Sequence, residues 1–303
     1  MLKTNELSIV ILSYNTKDLL NKCLLSVTKA IGKRQDIEII VVDNASTDGS
    51  AQMVEQRYKS IEILRNKENL GFAGGNNIAL KRCQSRFVLL LNSDTEILPE
   101  ALDIMLEYMN NNLQVGAATC MIRLKNGQID DACHRGFPTP WNAFCHFSGL
   151  GKLFPLSTLL NGYHLGYQNL DKIHEIDACC GAFMMIRQVV GQKLNWLDED
   201  YFFYGEDLDF CYRVKQNGWK IIFNPEASIV HWKGVSSGMK ETSSEITTAD
   251  KETKKRAVSA SIQAMKLFYQ KHYVKKYPRI LTKAILVGIN LLEQNRLKSL
   301  EAK

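Results

Sequence analysis

Phe87-Val88-Leu89-Leu90-Leu91-Asn92-Ser93-Asp94 is an unbroken apolar run that ends abruptly in three polar side chains. Apolar residues without polar alternation read as a strand buried on both faces, here Arg86–Leu91. Two earlier runs share this form. Leu7–Leu12 ends in Ser13-Tyr14-Asn15, and Ile37–Val42 ends in Asp43-Asn44. Between them Leu19, Leu20, Cys23, Leu24 and Val27 fall at helical spacing. A helix around Ser50–Tyr58, capped by Ser46 or Asp48, and a short strand at Ile61–Leu64 follow. Gly71–Gly75 reads as a glycine-rich turn before a helix near Asn76–Arg82. Pro99 suits the first turn of a helix ending near Asn111, and Val115–Ile122 reads as a fifth strand before an Asn126-Gly127 hairpin turn. Strand and helix in alternation predict an α/β fold, a doubly wound, mostly parallel sheet flanked by helices.

The second half is less regular. Residues 130–175 hold His134, Arg135, Pro138, Pro140, Trp141 and Phe144 and read as a loop-rich insertion over the sheet. A strand at Ala182–Arg187, a helix at Glu206–Gln216 and a strand at Trp219–Phe223, stopped by Pro225, come next. Residues 237–250 read as a Ser/Thr/Gly-rich linker. Residues 251–303 form a C-terminal helical extension, with Ile262, Met265, Tyr269 and Tyr273 on one face and Leu281, Ile285, Gly288 and Leu292 on another.

Of the 303 residues, 45% are apolar and 23% charged, ordinary globular values. Eight cysteines without a CxxC pair argue for a reduced chain rather than a zinc ribbon. Leu7–Leu12 is too short for a secretory core, and no run is long enough to span a bilayer. A cytoplasmic chain is expected. The net charge of +6 is uneven: thirteen bases face three acids in 251–303, leaving twenty-five against twenty-nine in 1–250. The tail suits an anionic membrane surface, with Phe268, Tyr269, Tyr273 and Tyr277 beside Lys271, Lys275 and Lys276, or it packs on the domain or on a second copy in a homodimer. The acidic body argues against nucleic acid.

Ligands of open parallel sheets gather beyond the carboxyl ends of the strands. That rule puts Ser13, Tyr14, Asn15, Asp43, Asn92, Ser93 and Asp94 on one rim, although Asn, Asp and Ser also serve ordinary turns. Asp43 suits a ribose hydroxyl or a base N–H. The Glu68–Asn77 segment, with Asn69, Gly71, Gly74 and Asn77, offers backbone N–H groups to a ligand but matches no phosphate-loop fingerprint. Asp94 is the candidate ligand for Mn²⁺ or Mg²⁺, and His231, after Ser228-Ile229-Val230, either completes that sphere or is a satisfied structural group. Asp207, in Gly205-Glu206-Asp207, is the candidate base. Glu206 and Asp209 fit charge pairing with a helix N-terminus equally well.

Taken together and in order, these motifs resemble glycosyltransferase family 2 with the GT-A fold, in its bacterial rhamnosyltransferase-like branch. The resemblance runs over about 7–236 through Val10–Asn15, Val41–Gly49, Glu68–Asn77, Leu91–Asp94, Gly181–Met185, Gly205–Asp207 and Val230-His231. It implies one glycosyltransferase domain over 1–236, with a nucleotide-sugar half at 1–123 and an acceptor half at 124–236. It implies an inverting, metal-dependent transfer from a nucleotide diphosphate sugar, dTDP-rhamnose or a UDP-sugar, to a saccharide or polyprenyl-diphosphate-linked acceptor. The product would be a cell-surface polysaccharide, made by a peripheral enzyme at the inner face of the plasma membrane. Asp43 matches the nucleoside-binding acid, Asp94 the last acid of the DxD metal motif, Asp207 the base and His231 a metal-binding His. Gly181, Ala182 and Glu206 lie toward the acceptor and donor sugar. The first DxD acid is Asn92 here, which brings no charge and makes a His231 ligand more valuable. An inactive nucleotide-sugar-binding scaffold is the alternative, and both Asp207 and His231 would be superfluous in it.

Overall fold

The computed structural model describes residues 5–232 and 251–301, with side chains described through 255–299 of the second stretch. The expected linker at 237–250 lies outside the described residues. Four strands read from the apolar runs are present: β1 (Leu7–Ser13), β2 (Ile37–Asp43), β3 (Glu62–Arg65) and β4 (Phe87–Asn92). They pair in parallel in the order β3-β2-β1-β4. Leu7, Ile9, Val10, Phe87, Val88 and Leu89 are fully buried because helices cover both faces of the sheet. Helix α1 (Lys17–Ile31) buries Leu20, Cys23, Leu24 and Val27, and α2 (Ser50–Arg57) follows β2. The register aligns Ser13 with Asp43 and Leu12 with Asn92, so the polar strand ends share one rim.

Helix α3 spans Gly71–Leu80, not Asn76–Arg82. Its glycines are part of the helix because neighbours crowd them. A Cβ on Gly75 would lie 2.6 Å from Leu12 Cδ1, and one on Gly71, at φ +74°, would collide with the Phe202 carbonyl. Next come β5 (Thr95–Ile97), α4 (Ala101–Asn111) and β6 (Val115–Leu124). The Asn126-Gly127 turn returns the chain beside β6, with Asp130 N–H on the Ile122 carbonyl at 2.8 Å. The insertion is more helical than its composition suggests, with a 3₁₀ turn at Asp131–Cys133, α5 (Pro140–Ser148) and α6 (Leu150–Leu153). Thr139 caps α5 by accepting from Asn142 N–H, and Pro140 occupies its first turn.

The chain then supplies β7 (His174–Ile176), β8 (Phe183–Arg187), α7 (Gln188–Lys193), α8 (Glu206–Gln216) and β9 (Lys220–His231). Among the described residues the full order is β3-β2-β1-β4-β8-β6-β9-β5, with β7 on β9. Strand β8 runs antiparallel to both β4 and β6, so the sheet is mixed beyond β4. Pro225 does not stop β9. The register against β6 steps from Asn224 to Ser228, and Pro225 sits in that irregularity, where no ladder N–H is required.

No described helix is long and apolar enough to cross a membrane. Helix α9 (Lys251–His272) packs on the domain, and α10 (Arg279–Glu301) packs on α9. Ile262, Phe268, Tyr269 and Tyr273 are buried, the last three with Tyr201 and Tyr212. The packing alternative therefore describes α9, whose aromatics face protein. On α10 the packed residues are Ile285 and Leu286, while Leu281 is exposed.

Candidate active site

The rim is built from side chains that tie one strand end to the next. Ser13 Oγ lies 3.0 Å from Thr16 Oγ1, which lies 2.9 Å from Ser93 Oγ, so Ser13 and Ser93 are bound into the scaffold. Asn15, at φ +53°, accepts from Thr47 N–H at 2.8 Å, and its own N–H donates to Ser46 Oγ at 3.0 Å. Tyr14 stands half-exposed at the mouth. Asp43 is 4% exposed; its Oδ2 accepts from Ser46 N–H at 3.2 Å, while its buried Oδ1 has no hydrogen-bond partner. An unpaired buried carboxylate oxygen costs free energy until a donor reaches it. A nucleoside N–H or O–H is such a donor.

Asn44 fastens the glycine segment. It donates to Asn69 Oδ1 and the Gly71 carbonyl and accepts from Asn66 Nδ2 and Leu70 N–H. Asn69 Oδ1 also takes Gly71 N–H at 2.9 Å. Asn77 and Gly71 also carry structural contacts of their own. Asn77 is 2% exposed and joins the Leu197 carbonyl, Glu199 Oε1 and Leu197 N–H, so its amide holds another loop. Gly71 is required by its close approach to Phe202. Gly74 is half-buried in the same turn of α3, with only Leu70 within reach of an added Cβ.

Strand β5, unread in the sequence, brings the metal candidates together. Thr95 pairs with His231 across β5 and β9, and Trp232 N–H donates to the Asp94 carbonyl at 2.9 Å. His231 Nε2 thus lies 3.2 Å from Asp94 Oδ1, and His231 Nδ1 lies 3.2 Å from Asp130 Oδ2. Burial alone would push this imidazole down; Asp94 and Asp130 outweigh it and lift it to about 9. Asp130 was not singled out from the sequence, because the hairpin after β6 delivers it. The imidazole is thus held as a cation between two carboxylates, and it can ligate a metal only where the metal displaces the Nε2 proton while Asp130 keeps Nδ1–H. Among the described residues no group of three or more His, Cys, Asp or Glu side chains could hold a metal. Asp94 supplies one donor and His231 a second once its Nε2 proton is displaced, so an ion here would draw its other ligands from substrate phosphates and water.

The second cluster begins at Gly205, at φ +90°, where an added Cβ would lie 2.9 Å from Tyr201 and 3.0 Å from Ala264 of α9. Glu206 is 6% exposed and its Oε2 has no partner. Burial first, then Asp207, pushes its carboxyl up to about 8, so it is not the solvated helix-start charge that the sequence also allowed. Asp209 fits that structural role: its carboxylate takes Arg213 Nε and His272 Nε2, both at 2.6 Å. Burial would lift it, and these two partners more than offset the effect, holding it below the usual range.

Asp207 Oδ2 lies 3.1 Å from Arg135 Nη2, with the Asp207 side chain 15% exposed. Burial works against the guanidinium's charge, and Asp207 outweighs it. Arg135 is thus a site residue that sequence spacing did not reveal, carried in by the bridge between Arg135 and Ala178. Asp207 and Asp94 are joined by the segment 178–182. Arg135 N–H reaches the Ala178 carbonyl at 3.1 Å, and Asn92 N–H reaches the Ala182 carbonyl at 3.3 Å. A Cβ on Gly181 would meet the Phe72 ring at 3.0 Å, and Phe72 N–H donates to the Phe202 carbonyl at 2.8 Å. Gly181 and Ala182 therefore lie between the rim and the start of α8.

The family model described as glycosyl transferase family 2 matches residues 8–193, well over half of the chain. An N-acetylglucosaminyl-diphospho-decaprenol L-rhamnosyltransferase of Mycobacterium tuberculosis is 25% identical over 247 residues, spanning 78% of this chain and 78% of its own. Rhamnosyltransferase WbbL of Escherichia coli is 24% identical over 231 residues, spanning 74% and 82%. In fold, the chain is similar to a mannosyltransferase of Pyrobaculum calidifontis solved with GDP-Man and Mn²⁺. The TM-score is 0.58 at 15% identity, covering 99% of this chain and 74% of that one.

Proposed function

The chain belongs to glycosyl transferase family 2, and from that premise we propose that it is an inverting, divalent-metal-dependent rhamnosyltransferase using dTDP-rhamnose. The acceptor is a saccharide or a polyprenyl-diphosphate-linked saccharide, the second in keeping with the N-acetylglucosaminyl-diphospho-decaprenol in the name of one relative. Residues 1–123 serve the donor and 124–236 the acceptor.

The observation that carries this reading is the Asp94–His231–Asp130 array at the end of β4. Asp43 Oδ1 would take a donor from the nucleoside. Asp94 and His231 would hold Mn²⁺ or Mg²⁺, whose charge neutralises the departing diphosphate. Asp130 fixes the imidazole ring. Asp207 accepts the proton of the attacking acceptor hydroxyl, and Arg135 fixes the direction in which that carboxylate points. Glu206, protonated in its buried setting, can donate a hydrogen bond to a sugar hydroxyl.

A thermal-shift series with nucleotide sugars, with and without Mn²⁺, tests the reading. Stabilisation follows ligand concentration over Kd, so dTDP-rhamnose with Mn²⁺ should raise the unfolding midpoint most. A larger shift with another nucleotide sugar, or none with any, contradicts the assignment of the donor.

A further inference from the structure

The insertion at 141–159 inverts the usual distribution of side chains. Phe144, Phe147, Leu153, Phe154, Leu156 and Leu159 are each between 52% and 77% exposed. Several side chains beside them tie the backbone of the insertion together. Trp141 Nε1 donates to the Leu159 carbonyl at 2.8 Å, Asn142 Nδ2 to the Phe137 carbonyl at 2.9 Å and Asn161 Nδ2 to the Pro155 carbonyl at 2.8 Å. His146 Nδ1 and His164 Nε2 lie 2.9 Å apart, and Cys145 is buried beneath α5. Gly162 approaches so closely that an added Cβ would lie 2.7 Å from Asn142 Oδ1. The face is therefore a tightly built platform that presents apolar side chains outward. Clustered exposed apolar side chains of this kind mark an interaction site.

Charge selects the partner. No Asp or Glu occurs between Asp131 and Asp171, while Lys152 lies within the apolar stretch. The segment that contains α10, 251–303, carries the surplus of ten positive charges. Apolar side chains beside cations, with no carboxylate among them, complement an anionic bilayer surface. We infer that the α5–α6 platform seats on an anionic membrane, with its Phe and Leu side chains entering the acyl boundary and Lys152 meeting the headgroups. This goes beyond the transfer reaction and holds whatever the donor. It also moves the membrane contact away from the α9 aromatics, which are buried.

Flotation of the full chain with phosphatidylcholine vesicles, with and without phosphatidylglycerol and without nucleotide sugar, tests the inference apart from the transfer reading. The protein should float with the phosphatidylglycerol vesicles, and less so as salt is raised. The triple variant Phe144→Ser, Leu153→Ser, Leu156→Ser should lose about tenfold or more in partition at an unchanged unfolding midpoint. Lys152→Glu, at an exposed position, should lower binding to the anionic vesicles alone and serves should the triple variant fold poorly. Absence of flotation, wild-type partition by both variants, or a vesicle-free dimer that the triple variant converts to monomer would each overturn the inference.

Discussion

Replacing Glu206 with Gln gives a pH-resolved test of the buried helix start. The Glu206 carboxyl is 6% exposed, one oxygen has no partner, and burial followed by Asp207 moves it from an ordinary 4.5 to about 8. The folded protein therefore keeps a proton that the unfolded chain has released across that window. The associated stability is fully present below pH 4.5 and is lost as pH rises through about 8. One proton of difference changes stability by about 1.4 kcal/mol per pH unit, so the loss across the window amounts to about 3–5 kcal/mol. Gln keeps the shape and removes the titration. Urea unfolding of both proteins at about pH 5, 6, 7 and 8.5 isolates this helix start, because titrations of groups distant from Glu206 cancel in the difference. The variant should gain on the wild type steadily from pH 5 to 8 and then hold its lead. A difference independent of pH, or one that grows toward acid, refutes the reasoning.

Asp43→Asn replaces a charged acceptor with a neutral amide at the rim and should weaken nucleotide binding about tenfold or more in calorimetry; equal affinity would remove Asp43 from the donor site. Phe268→Ala empties the space among Tyr212, His272 and Tyr273 and should cost about 3–5 kcal/mol, read as a lower urea midpoint and earlier tryptic cleavage near α9. An unchanged midpoint would mean that α9 contributes little to the fold.

The parallel half of the sheet was legible because β1 and β4 are buried on both faces and β2 over its second half, and such strands leave predominantly apolar runs. Helix α8 was legible to the residue, since Gly205 and Gly218 bracket it at positive φ. Strand β5 was not, because three residues carry no period and its partner lies more than a hundred positions away. The run of β9 through Pro225 was hidden for a related reason: a bulge cancels the meaning that proline has in a regular ladder. Within the site, Asp43, Asp94, Asp207 and His231 stood out as polar residues next to apolar runs or at a helix start. Asp130 and Arg135 did not, because a hairpin and an isolated bridge bring them in, and neither leaves a spacing to read. The tail could be read in two ways because Phe268, Tyr269 and Tyr273 suit a bilayer or a protein surface equally; only the positions of Tyr201 and Tyr212 decide between them.

In the reaction proposed above, Asp207, held by Arg135 at the start of α8, takes the proton of the acceptor hydroxyl. The direct measurement is single-turnover transfer from dTDP-rhamnose by Asp207→Asn, alongside calorimetric donor binding by the same variant. Transfer should fall by about 10²–10⁴-fold while the donor Kd stays at the wild-type value. Turnover near the wild-type rate would place the base elsewhere and contradict the account.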